Sequence, residues 1–284
     1  MALDDNWFTE IDKANGSAFS LQIKAKLHEE QTPFQKVEIY DTVYWGKLMV
    51  IDGFYMLSGR DNFLYHEMMS HPALFTHADP KKVLIIGGGD CGTLREVLKH
   101  PGVEQVWQGD IDEAVTRLSL IHFPELCASN DDSRANILFG DGIKWVQDAD
   151  DASLDIIIVD STDPIGPAEG LFNEAFYRQC HRILRSGGLL VQQSESPLFH
   201  IKLLKAMHGA MHTAGFAETR THYFPQPVYP SGWWSATMAC KDGAIGEFRE
   251  QDVRDKSFET LYYNTDIHRA ALAQPAFCKE AGLG

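Results

Sequence analysis

The chain has 284 residues, 44% of them hydrophobic, enough for one large domain or a large and a small one. Its formal charge of −15 argues against nucleic acid and anionic membrane as partners, because both would repel it. What remains is a solvated acidic surface, or an acidic cleft that attracts a cation.

No apolar run approaches the roughly 20 residues that span a bilayer. The start, MALDDNWFTEID, is acidic and lacks the basic and apolar regions of a signal peptide. The five cysteines (Cys91, Cys127, Cys180, Cys240 and Cys278) are scattered, with no CxxC, and fit reduced thiols. A cytoplasmic location is the expectation.

Residues 17–60 read as β structure. SAFSLQIKAKL, QKVEIYDT and GKLMVIDG alternate in part, and Asp52-Gly53 is a hairpin signal. FLYHEMMSHPALF (63–75) changes to helical spacing before Asp79-Pro80. The expected division is a small β domain over 1–61 and a larger domain over 62–284. From Lys82 the pattern turns β-α-β-α, which predicts a doubly wound parallel sheet. Val83–Ile86 is unbroken aliphatic, as suits a parallel strand covered on both faces. Gly87, Gly88 and Gly89 remove every Cβ at the turn that follows, and Asp90 precedes a helix opening at Thr93. That order makes a nucleotide or nucleoside site. Gly87, Gly89 and Gly92 also satisfy GxGxxG, a weak signal that keeps a dinucleotide enzyme open.

The next strands are Val103–Gln108, ending at Gly109-Asp110; Ala135–Phe139, ending at Gly140-Asp141-Gly142; and Leu154–Val159, ending at Asp160. A helix over Glu113–His122 separates the first two. After the loop STDPIGPAEG come a helix over Leu171–Leu184, a stop at Ser186-Gly187-Gly188 and a strand over Leu189–Gln192. A helix near Leu198–Ala214 and strands at Ala217–Tyr223 and Trp234–Cys240 follow. No metal is expected. His66-Glu67 and His71 stand at i and i+5 where a zinc helix needs i and i+4; His208 and His212 have that spacing, without a third ligand, and read as an exposed helix face.

Ligands of open α/β sheets sit at the carboxyl ends of the strands. Those ends carry Asp90, Asp110, Asp141 and Asp160, with Asp163 close behind. Asp110 stands at the distance from the glycine turn at which an acid accepts from ribose hydroxyls. Asp141 can accept from an adenine amino group. Each is also the residue favoured at a helix N-cap. Asp90 would repel a pyrophosphate and attract a cation. Asp160 and Asp163, on a loop stiffened by Pro164 and Pro167, add two carboxylates with no basic partner. The pocket suits a polyamine-like cation, with dinucleotide binding a minor alternative.

GGGDCGTLREVLKH, GDID, DSTDPIGPAEGLF, RDNFLYHEMMSH and YPSG resemble the motifs of the spermidine synthases, a family of aminopropyltransferases. The resemblance implies an α/β fold: a Rossmann-like, methyltransferase-type doubly wound sheet preceded by a small N-terminal β domain. It implies transfer of the aminopropyl group of decarboxylated S-adenosylmethionine, a co-substrate rather than a cofactor, to putrescine. Spermidine and methylthioadenosine would result, by direct displacement and without a metal. By resemblance Asp160 and Tyr65 are catalytic. Gln35, His66, Gly87, Gly88, Gly89, Asp90, Asp110, Asp141 and Gly142 bind the donor; Asp163, Tyr229, Gln193 and Trp7 line the acceptor channel. A homodimer or homotetramer through the β region is also implied.

The chain departs from the family pattern at Cys91, where glycine is frequent, at Asp110 in place of glutamate, and at Asn62 and Met56. Acceptor length stays open. Transfer to agmatine, cadaverine or spermidine, N-methylation of putrescine, and a non-catalytic polyamine- or nucleoside-binding role are the alternatives.

Overall fold

The computed structural model describes residues 3–164 and 166–283. Ile165 and the side chain of Pro167, both in the expected proline loop, lie outside the described residues, as do Met1, Ala2 and Gly284.

The N-terminal sheet is an antiparallel meander: β1 (Trp7–Asp12), β2 (Ser17–Gln31), β3 (Lys36–Thr42), β4 (Lys47–Ile51) and β5 (Phe54–Ser58), bonded in that order. Asp52 and Gly53 join β4 to β5 with positive φ at both, 50° and 90°, the two-residue turn that follows the natural strand twist. Helix α1 (Asn62–Thr76) follows and packs on the second sheet, buried along almost its whole length despite Pro72 inside it.

The second sheet holds β6 (Lys82–Gly87), β7 (Gln105–Asp110), β8 (Ala135–Phe139), β9 (Leu154–Asp160), β10 (Leu184–Gln193), β11 (Glu218–Pro225) and β12 (Trp233–Cys240). Its order is β11-β12-β10-β9-β6-β7-β8. Five strands are parallel, while β12 runs antiparallel to both β10 and β11, so a hairpin closes one edge of a sheet expected to be parallel. The aliphatic run of β6 now has its reason. Val83 and Ile85 face one core with α1 and α2 (Gly92–Leu98); Leu84 and Ile86 face another with residues of α4 (Gly142–Asp148), α5 (Glu174–Ile183) and α6 (Ile201–Ala214). Helix α3 (Glu113–His122) packs Val115 and Leu118 against Val37, Ile39 and Met49 of the first sheet, which fastens the two sheets together.

Several boundaries differ from the sequence expectation. The helix expected over Leu171–Leu184 starts only at Glu174, because Leu171 and Phe172 belong to a 3-10 turn and the Asn173 side chain caps the Phe176 N–H at 3.0 Å. Ser186-Gly187-Gly188 lies inside β10, as a register shift between Leu184 and Leu189, rather than ending a helix. β1 and α4 are additional, as are α7 (Glu250–Asp255), α8 (Thr265–Ala271) and α9 (Ala276–Glu280). His208 is not on an exposed face. It is buried between α6 and β11, bonded to the hydroxyls of Thr219 (2.6 Å) and Thr221 (2.8 Å), because it shares a helix face with Leu204 and Met211; His212 is exposed. Among the described residues no helix is long and apolar enough to cross a membrane.

Candidate active site

The chain leaves β6 toward one side of the sheet through β7 and β8, then returns to β9 on the other side of β6. That makes the β6/β9 boundary the switch point where a crevice opens. Gly87 pairs directly with Asp160 across it. A Cβ placed at Gly87 would lie 2.1 Å from the Asp160 carbonyl oxygen, and its φ of +81° favours glycine as well. The Gly88 N–H donates to that same carbonyl at 2.8 Å. The glycine turn therefore exists to bring two strand ends together.

A cavity of about 250 Å³ opens over these ends. Gln35, Tyr65, Gly87, Gly88, Gly89, Asp110, Gly142 and Tyr229 line it, as do Asp52, Asp90, Asp141, Asp160 and Asp163. Among the described lining residues there is no Lys, Arg or His. His66, Gln193 and Trp7 stand outside the lining. His66 is fully buried behind Asp90, and a Cβ at Gly92 would meet its ring at 2.2 Å. Gln193 ends β10, bonded to the Glu195 N–H (3.1 Å) and the Thr162 carbonyl (3.5 Å). Trp7 is half-buried on β1 opposite Gln22, on the strand face away from Phe8 and Glu10.

Asp90 accepts from the Gly92 N–H at 2.7 Å through Oδ1 and lies 3.2 Å from His66 Nε2 through Oδ2. Burial alone would raise its pKa, but His66 and that N–H outweigh it and hold the carboxyl below the usual range. Burial opposes charge on His66 too, and the Asp90 carboxylate overrides it upward. Asp110 is pushed up to about 6, first by burial. Asp141 spends Oδ1 on the N–H groups of Ile143 (2.8 Å) and Lys144 (3.3 Å), so the N-cap role open to every strand-end acid is realised there while the residue still borders the cavity. Gln35 donates to Asp112 at 3.0 Å; Asp112 also accepts from Thr32 and Ala114, tying the first sheet to α3.

Asp160 accepts from the Tyr65 hydroxyl at Oδ1 (2.7 Å) and from the Thr93 hydroxyl at Oδ2 (2.6 Å). Burial first, then the Asp90 charge, raises its pKa. Tyr65 is raised well above the usual phenol range, by burial and then by Asp160. The Tyr229 hydroxyl donates to the Met56 carbonyl at 2.8 Å, and its ring stands edge-on to Tyr65.

Two acids beside Asp163 escaped the sequence reading. Glu10 is buried on β1, accepts from the Tyr55 N–H at 2.7 Å, and is raised to about 7, first by burial, with Asp163 adding to the rise. Glu195 is buried just past β10 with φ of +64°, is raised well above the usual range by burial and then by Asp163, and has Oε2 3.2 Å from His200 Nδ1. Both were legible. Glu10 is an acid in phase with Phe8 on an alternating strand, and Glu195 follows a strand end as the other acids do.

The raised Glu10 makes stability depend on pH. Its proton is held more tightly folded than unfolded, so stability is full below the ordinary value of 4.5 and is lost as pH rises through about 7. The full loss is on the order of 3 kcal/mol. Glu10→Gln keeps an oxygen for the Tyr55 N–H. It is expected to raise the unfolding midpoint of the unliganded protein at alkaline pH and leave it almost unchanged in acid. Denaturant titration of both proteins at two pH values checks this, and equal shifts at both would refute it.

A family model described as the spermine/spermidine synthase domain matches residues 62–248, and one described as the spermidine synthase tetramerisation domain matches residues 6–58. The polyamine aminopropyltransferase of Methylococcus capsulatus is 66% identical over 97% of this chain and 96% of its own length. That of Thioalkalivibrio sulfidiphilus is 64% identical over the whole of both. Among solved structures, a spermidine synthase in complex with the transition-state analogue AdoDATO superposes with a TM-score of 0.95 at 34% identity, covering 100% of this chain and 97% of that one. The spermidine synthase of Thermotoga maritima gives 0.92 at 35% identity, over 98% and 94%.

Proposed function

This chain belongs to the spermine/spermidine synthase family, and from that premise we propose that it is a polyamine aminopropyltransferase taking decarboxylated S-adenosylmethionine as donor and putrescine as acceptor. The observation that carries the reading is the charge of the cavity. Six aspartates (Asp52, Asp90, Asp110, Asp141, Asp160 and Asp163) line it, with no basic side chain among its described lining residues. A phosphate or carboxylate ligand would be repelled, and a sulfonium with two amines would be attracted.

In this reading Asp90, held ionised, takes the aminopropyl ammonium, with His66 behind it. Asp110 accepts from the ribose, Asp141 and the Gly142 N–H meet the adenine, and Gln35 and the Gly87–Gly89 backbone complete the donor site. Asp163, with Glu10, Glu195, Gln193 and Tyr229, receives the acceptor's far ammonium and methylenes. Trp7 stands on the same strand as Glu10 but on its opposite face, so its place along that channel rests on the family resemblance alone. The acceptor nitrogen attacks the aminopropyl carbon next to sulfur. A C–N bond forms, the C–S bond breaks with its electron pair moving to sulfur, and methylthioadenosine departs. The proton leaves the nitrogen for Asp160, whose carboxylate the Tyr65 hydroxyl orients. A sulfonium is already a good leaving group, so what the protein must supply is an aligned, neutral amine.

Product analysis tests this directly. S-adenosylmethionine and its decarboxylated form are each offered with putrescine, cadaverine, agmatine and spermidine. Spermidine and methylthioadenosine from the decarboxylated donor with putrescine is the expected result. Preference for another amine would keep the chemistry and change the acceptor; methylputrescine from the ordinary donor would overturn the role given to Asp90. We also read residues 1–61 as an assembly unit and 62–284 as the catalytic unit of a homo-oligomer, in line with the tetramerisation model at 6–58. A solution mass of one chain in the active sample would contradict the assembly.

A further inference from the structure

Thr93 stands on the first turn of α2, fully buried, and its hydroxyl donates to Asp160 Oδ2 at 2.6 Å across 67 residues of chain. The same oxygen lies next to the glycine turn, where a Cβ at Gly88 would approach it to 3.0 Å. The other oxygen, Oδ1, is bonded to Tyr65, which lines the cavity. The two carboxylate oxygens thus have different neighbours, Thr93 of α2 and the glycine turn at Oδ2 and Tyr65 at Oδ1.

We propose that Thr93 is a positioning residue for the transfer reaction, holding Oδ2 of Asp160 so that Oδ1 is the oxygen presented to the acceptor amine. The inference rests on the role given to Asp160 above and adds a residue and a division of labour to it. A carboxylate has about four acceptor positions. Tyr65 and Thr93 occupy one on each oxygen, and in this proposal the amine meets a position left on Oδ1, beside the cavity-lining Tyr65. The Thr93 bond also favours the ionised carboxylate. It works against burial and against the charges facing Asp160: Asp90 from the glycine turn and Asp110 from the end of β7. His66 and Tyr65 from α1 and Tyr229 from the β11–β12 turn also face it, and Asp163 lines the same cavity.

The test compares wild type with Thr93→Val, which keeps the shape and loses the donor, and Thr93→Ser, which keeps the donor. Thr93→Val is expected to move the acid limb of the kcat pH profile up by about one unit, which lowers kcat about tenfold along that limb, with the donor KM little changed. Thr93→Ser should restore the wild-type limb. A merely structural role would lower the melting temperature without moving the limb, and an unmoved limb in Thr93→Val overturns the proposal. Should Thr93→Val fail to fold, a displaced limb in Thr93→Ser overturns it equally. Carbon-13 NMR titration of Asp160 in the unliganded proteins separates the two readings. If wild type makes no product, the functional reading fails while an upward Asp160 shift in Thr93→Val still supports the hydrogen bond's effect on the carboxylate. An unshifted Asp160 in a turning-over enzyme sinks the role of Thr93 alone.

Discussion

Asp160→Asn is expected to lower kcat about 10³-fold, within the range by which a positioned general base accelerates proton transfer. The amide that replaces the carboxylate cannot take a proton from the attacking nitrogen. It also has one acceptor oxygen where Tyr65 and Thr93 each donate, so one hydroxyl must instead accept from the amide N–H, at a cost of about 1 kcal/mol. The fold should survive that, and the melting temperature is the control. A free amine of pKa about 10 is mostly protonated at neutral pH. Burial and the Asp90 charge raise Asp160, so its ionisation is completed at a higher pH than for an ordinary carboxyl. Both effects make the wild-type rate climb from about pH 6 to about pH 9, and the variant should retain only the amine's contribution. Steady-state kcat across that range decides it. Full turnover in the variant, or a flat wild-type profile, would remove Asp160 from the mechanism.

Asp90→Asn should reduce kcat/KM for the decarboxylated donor about 10²-fold while leaving the acceptor KM nearly constant. Two unit charges 4 Å apart attract by about 4 kcal/mol at an effective dielectric of 20, and an amide oxygen recovers part of that through its hydrogen bond. Asn can still accept from the Gly92 N–H, which preserves the turn, while His66 loses the charge that raises its pKa. The same variant should bind ordinary S-adenosylmethionine more tightly, since the repulsion of its carboxylate is gone. Initial rates against donor concentration, with ordinary S-adenosylmethionine as competitor, measure both effects. An unchanged kcat/KM would mean that the aminopropyl ammonium lies elsewhere.

Much of this site is legible in one dimension, because doubly wound sheets place their ligands where strands end. Asp90, Asp110, Asp141, Asp160 and Asp163 each follow an apolar run, and all five line one cavity. Thr93 lies in the glycine-loop motif and Glu195 just past a strand end, but what each does depends on a partner far along the chain. Trp7 shows the opposite case: the resemblance puts it along the acceptor channel, yet the period of two along β1 turns it to the face opposite Glu10. Asp141 carries both of the readings open to it, since one oxygen caps α4 and the residue still borders the cavity.

The α/β class, the glycine turn after β6 and the acidic strand ends were determined by the sequence alone, because each depends on local periodicity or on a residue's own stereochemistry. The edge hairpin of β11 and β12, the irregular start of β10 and the α3 contact that joins the two sheets were decided only in three dimensions, by pairing between distant segments. The same holds for the electrostatics. A carboxylate's place in the chain says nothing of what desolvates it. Tertiary packing is what buries Glu10 against Tyr55 and sets His66 behind Asp90, and it alone gives the two oxygens of Asp160 different neighbours.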